Sequence, residues 1–167
     1  FVRALAVDAP DDAPTNPYRG GPLTERDRAV RERVAQVGSS IDADAVLRLW
    51  DNALAAPAAT RRQWVHGDLH PANIVVHEGR LAAVIDWVDL TGGDTAYDLA
   101  AAWVCFGDPV VRNEFVVATG VTDSPTWTRA RACALSHSLA CLANSADNPR
   151  MAEVGRRTYD AVLADAF

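Results

Sequence analysis

Residues 66 to 73 read His66-Gly67-Asp68-Leu69-His70-Pro71-Ala72-Asn73, and a little further on stands Ile85-Asp86-Trp87. Asp68, Asn73 and Asp86 are oxygen donors of the kind that phosphoryl transfer requires. That chemistry needs a carboxylate to receive the acceptor's proton, and hard ligands to hold Mg²⁺ against nucleotide phosphates. Magnesium prefers carboxylate and amide oxygens and keeps several waters, so one Asn and one Asp suffice when phosphates complete its shell.

Such a set works only if rigid elements present it. The runs at 63–66, 74–76 and 81–87 are short, apolar and rich in β-branched residues, which predicts strands, and Glu78-Gly79 predicts the turn of a hairpin over 74–87. The polar loop 66–73 therefore lies between two strands. Helices flank this core. Residues 1–7 read as a helix end and 8–22, rich in Pro, Gly and Asp, as a long loop with Gly20-Gly21 in a turn. A helix is expected from Thr24, with Asp27 completing a variant capping box and Val30, Val34 and Val37 on one stripe. A second runs from Asp42 to before Pro57. Asp108-Pro109, Ser124-Pro125 and Asn148-Pro149 each set a capping side chain before proline, marking three more helices.

The order HGDLHPAN, VIDW, GDTAYDLA resembles the catalytic core of the aminoglycoside phosphotransferase and choline kinase group, across Trp64 to about Phe106. The resemblance implies that Asp68 is the catalytic base and that Asn73 and Asp86 hold the metal ions. His70 stands where protein kinases carry a lysine facing the transferred phosphoryl group, and so is the candidate nucleotide contact. The implied cofactors are Mg²⁺ and ATP or another nucleoside triphosphate. The implied fold is α+β and mainly helical, the C-terminal lobe of a protein-kinase-like fold with a small β-hairpin at the catalytic site. Residues 1–167 make one unit, with 1–62 a helical and loop subregion and 63–106 the catalytic core.

Gly67 replaces the Arg of H-R-D, and no A-P-E signature follows Asp86, so a small hydroxylated acceptor suits the chain better than a peptide. Aminoglycosides, macrolides, choline-like alcohols, amino alcohols and sugars all remain open. Ala72 stands where many relatives have Gly, and Thr95 replaces the usual Pro. Asp89 and Asp94 are candidates for contact with a cationic acceptor, Asp98 for support of the loop, and His66 for bracing backbone. His77 and His137 carry no chemical signal of their own. No glycine-rich loop followed by a strand lysine precedes His66. The chain is therefore expected to lack the N-terminal ATP-binding lobe, to be inactive by itself and to self-associate through the uncovered surface. Its opening on Phe1 and Val2 fits removal of something upstream.

A net charge of -6 with dispersed arginines offers no basic field for nucleic acid. No apolar run reaches bilayer length and no signal peptide opens the chain, so the expected location is the cytoplasm, without a membrane partner. Three cysteines, Cys105, Cys133 and Cys141, fit buried thiols in a reducing compartment. Two other readings are open at this point. His66-x-Asp68-x-His70 could put three ligands on one face of an extended segment, as in a metal-dependent hydrolase. The chain could also be a binding module or kinase remnant that does not turn over.

Overall fold

The computed structural model describes residues 1–165. Apolar residues at helical spacing build its centre. α1 (Val2–Leu5) opens the chain. In α2 (Asp27–Val37) Val30 and Val34 are buried, and in α3 (Ala43–Ala55) Val46, Trp50 and Ala53 are. The Asp42 side chain caps α3 by accepting from Ala45 N at 2.9 Å. Both helices pack against α7 (Ser124–Asn144), in which Ala130, Ala134, Leu135 and Leu139 are fully buried. A helix apolar on most sides belongs in a core. Around α7 lie α4 (Ala96–Leu99), α5 (Ala101–Val104) and α8 (Pro149–Ala164), and α6 (Pro109–Thr119) packs on α5.

Among the described residues four short strands form two antiparallel pairs beside this bundle. β2 (Ile74–His77) and β3 (Arg80–Val84) make the expected hairpin. Both turn residues have positive φ, 49° at Glu78 and 73° at Gly79, which is the primed-turn geometry that matches strand twist. β1 (Gln63–Val65) pairs with β4 (Thr91–Gly93) in the register Gln63↔Gly93. Two glycines are poor strand formers, so β4 carries no local signal. It exists because β1 supplies its partner and because the 8–22 segment packs so tightly on it that a Cβ on Gly93 would collide with the Gly20 backbone.

Three local expectations need correction. The chain at Thr24 is a 3-10 turn (Leu23–Arg26), and the α-helix starts at Asp27 without a capping box. Asp27 turns its carboxylate instead to the Trp50 indole and to Arg31, at 2.8 and 2.9 Å. The cap of α7 is Asp123 rather than Ser124, since Asp123 accepts from Thr126 N at 2.9 Å. The strand expected to reach residue 87 ends at Val84, because Asp86 takes a left-handed conformation and Trp87–Asp89 form a 3-10 turn. Among the described residues no helix is long and apolar enough to cross a membrane.

Candidate active site

The loop 66–73 leaves β1 and is tied down from below by α4. Asp98, 2% exposed, accepts from His66 N at 2.8 Å and Gly67 N at 2.9 Å. Burial pushes this carboxyl up to about 6 against the pull of the two amides. His66 braces the opposite side. Its Nδ1 accepts from Asp68 N at 3.3 Å, which leaves Nε2–H to donate to Ile85 O at 3.0 Å. The ring lies edge-on to Trp87, with centroids 4.9 Å apart. One buried histidine thus joins the loop to the backbone just before Asp86.

Asn73 makes the second link. It is buried, its Nδ2 donates to Asp68 O at 2.9 Å, and its own carbonyl accepts from Ile85 N at 2.9 Å. With Nδ2 committed to Asp68 O, Asn73 Oδ1 is the side chain's remaining acceptor. Asp86 follows at φ 62° and ψ 70°, a strained conformation for a residue with a side chain. Its carboxylate is exposed and caps nothing. An amide oxygen and an exposed carboxylate at adjoining strand ends fit a hard cation that takes its remaining ligands from phosphates and water.

Among the described residues the Asp68 carboxylate has one short side-chain partner. Arg19 Nη2 donates to Oδ1 at 2.9 Å, whereas His70 Nε2 and Asn73 Nδ2 stand 3.4 and 3.5 Å from Oδ2. Burial would raise this carboxyl, but the His70 contact and the Arg19 charge outweigh it and hold it down at about 2. Asp68 is therefore ionised at neutral pH. His70 Nδ1 accepts from Ala72 N at 3.3 Å, so Nε2 carries the proton and points to the Asp68 side.

Several residues without a sequence signal stand here. Arg19 comes from the 8–22 loop and also lies 3.6 Å from Asp89 Oδ2, while Asn16 Nδ2 donates to Asp89 Oδ1 at 2.6 Å. A lone arginine in a Pro- and Gly-bounded loop gives no hint of this. The His137 ring sits 5.7 Å from His70, with Cys141 Sγ 3.5 Å from His137 Nε2, and burial pushes the imidazole down to about 4. The spacing of His137 and Cys141 by four on one helix was the only clue. Asp94 is not available to an acceptor: it is paired with the buried Arg129 at 2.6 Å and caps α4 through Ala96 N. A cavity of about 30 Å³ behind Asp68 is bordered by Arg19, Tyr97 and His137. A larger one, about 410 Å³, opens between the 15–25 segment, the end of α3 and β4.

The hydrolase arrangement does not form. Gly67 has φ 85°, which breaks the alternation that would align His66, Asp68 and His70, and the His66 ring turns to Ile85. Among the described residues no three His, Cys, Asp or Glu side chains cluster as a metal site.

A family model described as "Phosphotransferase enzyme family" matches residues 2–133, most of the chain and all of the loop, hairpin and α4. The chain belongs to the phosphotransferase enzyme family. No curated protein matches it. Among solved structures, this phosphotransferase is similar to a thermostable mutant of aminoglycoside phosphotransferase APH(4)-Ia in ternary complex with AMP-PNP and hygromycin B. There the identity is 23% and the TM-score 0.48, over 83% of this chain and 46% of that one. It is also similar to macrolide 2'-phosphotransferase MphH from Brachybacterium faecium, as apoenzyme, at 23% identity and TM-score 0.46 over 89% and 53%. The phosphotransferase chain thus spans about half the length of the structures it matches. Family membership rests on the family match, since structural likeness at this level carries nothing further.

Proposed function

We propose that this chain carries the catalytic base and metal ligands of an ATP-dependent kinase that phosphorylates a hydroxyl of a small molecule. The observation that carries the reading is the convergence of Asp68, Asn73 and the Ile85–Asp86 backbone through two 2.9 Å hydrogen bonds. On this reading 63–106 is the catalytic core and 1–62 a helical and loop subregion of one C-terminal lobe.

Asn73 Oδ1 and the Asp86 carboxylate would hold Mg²⁺, which supplies charge neutralisation at the nucleotide phosphates when bound. The acceptor hydroxyl donates to the ionised Asp68 carboxylate, which orients the attacking oxygen and receives its proton as the new bond to the γ-phosphorus forms and the bond from that phosphorus to the leaving nucleoside diphosphate breaks. A carboxyl held near 2 is a weak base, so most of its contribution is orientation. His70 Nε2–H stands at the edge of the same space and would donate to a phosphoryl oxygen. The acceptor class that the resemblance of the loop implies is a hydroxylated small molecule, such as an aminoglycoside-like antibiotic, an amino alcohol or a sugar.

The test is Asp68→Asn in the natural gene product, assayed against a panel of aminoglycosides, macrolides and amino alcohols. Phosphoryl transfer should fall ~10²- to 10⁴-fold while Mg-nucleotide binding persists. Equal turnover by the variant and its parent would remove Asp68 from the mechanism. The 167-residue chain by itself contains no glycine-rich loop with a strand lysine, and we propose that it folds without turning over.

A further inference from the structure

The segment 15–19 crosses the outer side of the catalytic loop, and the transfer as proposed makes no use of it. It is anchored at both ends on β4. Thr91 Oγ1 and Gly92 N donate to Pro14 O at 2.7 and 3.1 Å, and Asp94 N donates to Gly20 O at 2.9 Å. Between these anchors Asn16 engages Asp89 at 2.6 Å, and the Arg19 guanidinium spans Asp68 at 2.9 Å and Asp89 at 3.6 Å. The stem of Arg19 is held as well. It lies on Gly67, where a Cβ would meet the Arg19 Cβ at 3.0 Å and Cγ at 3.2 Å. A glycine in the loop is what lets the arginine pass over it.

Resting on the reading of Asp68 as the base, we propose that Arg19 is a positioning residue that sets the rotation of the Asp68 carboxylate. The terminal torsion of an aspartate is broad and roughly two-fold, so nothing intrinsic keeps one oxygen toward an acceptor. His70 Nε2 and Asn73 Nδ2 make only long contacts with Oδ2, at 3.4 and 3.5 Å, which an acceptor hydroxyl can displace. Arg19 is the one short side-chain contact on the carboxylate among the described residues, and it takes Oδ1. The rotation is thereby fixed with Oδ2 presented to the acceptor hydroxyl. A planar guanidinium can bridge two carboxylates in a defined geometry, which an ammonium on a flexible stem does less well. Asp89, fixed by Asn16, adds only a charge at 3.6 Å from Arg19 Nε, which makes no hydrogen bond among the described residues.

The experiment has two arms. In the natural gene product, Arg19→Gln should lower kcat ~10- to 100-fold, the range that small misplacement of a reacting group produces, with KM for ATP unchanged and the helical far-ultraviolet circular dichroism retained. Arg19→Lys should recover part of the loss, and Asp89→Asn should fall between. In the 167-residue chain, high-resolution crystal structures should show one orientation of the Asp68 carboxylate in the parent and a turned or split one in Arg19→Gln, with Arg19→Lys intermediate. Full kcat in Arg19→Gln, a loss confined to KM, or an unchanged Asp68 carboxylate orientation would overturn the proposal. If the parent phosphorylates no acceptor in the panel, the kinase reading fails, and the crystallographic arm still decides whether Arg19 orients Asp68.

Discussion

Asp68 and Asp98 start from the same carboxylic acid and are driven apart by their surroundings. His70 and Arg19 outweigh burial at Asp68 and bring it to about 2, while burial outweighs two amide donors at Asp98 and brings it to about 6. The consequences for stability have opposite signs. Asp68 is depressed in the folded chain, so its contribution is present above the unfolded value of 3.8 and is lost as pH falls toward 2. Asp98 is raised, so its contribution is complete below 3.8 and is lost as pH rises through about 6. Carboxyl-carbon titration should find the two on either side of 3.8, and values for both near 4 would refute this assignment. Asp98→Ala should strand the His66 and Gly67 amides at roughly 1–3 kcal/mol each, read by urea unfolding. A loss well below 1 kcal/mol would mean that water replaces the carboxylate.

At the scale of elements, the hairpin and the long helix are exposed to different kinds of change. Glu78 occupies a left-handed turn position at φ 49° without the side chain that tolerates it best. Glu78→Asn should therefore stabilise the chain by roughly 0.5 kcal/mol in denaturant, within the range such local corrections give. A destabilised variant would show that the Glu78 side chain has a role in the turn. Asn148 caps α8 through Met151 N at 3.2 Å, and Asn148→Ala should cost about 1 kcal/mol by the same measurement. The core between α2, α3 and α7 is less forgiving. Trp50 is fully buried and its indole is bonded to Asp27, so Trp50→Ala should cost roughly 3–5 kcal/mol and threaten folding altogether.

At the scale of the molecule, the hairpin side carries a run of exposed apolar side chains. Val75, Val76, Leu81, Ile85, Trp87 and Val88 are all more than a third exposed, Val88 at 83%. Scattered apolar residues are ordinary on a surface, but this many close together in sequence and next to the site favour association. The 167-residue chain should self-associate with rising concentration in sedimentation velocity, and Val76→Lys with Val88→Lys should shift it toward monomer. A monomeric parent at high concentration would dismiss this. Titration calorimetry with ATP and Mg²⁺ should find weak binding at best, since most nucleotide positioning in the kinase-like fold lies outside the loop and hairpin.

The sequence by itself determined the loop between strands at 66–73, the hairpin that follows it, the helix start near Asp42 and the caps at Asp108 and Asn148. Each depends on residues a few positions apart: a histidine bracing its own loop, two turn residues between strands, a side chain reaching the second or third amide ahead. The tertiary structure decided what those residues meet. Arg19 reaches Asp68 across 49 positions, Asn16 reaches Asp89 across 73, and Arg129 withdraws Asp94 from any ligand across 35. β4 is a strand only because β1 and the Gly20 backbone lie against it. Periodicity and turn chemistry are local signals, whereas these contacts arise where distant segments are folded over one another, and no spacing along the chain encodes that meeting.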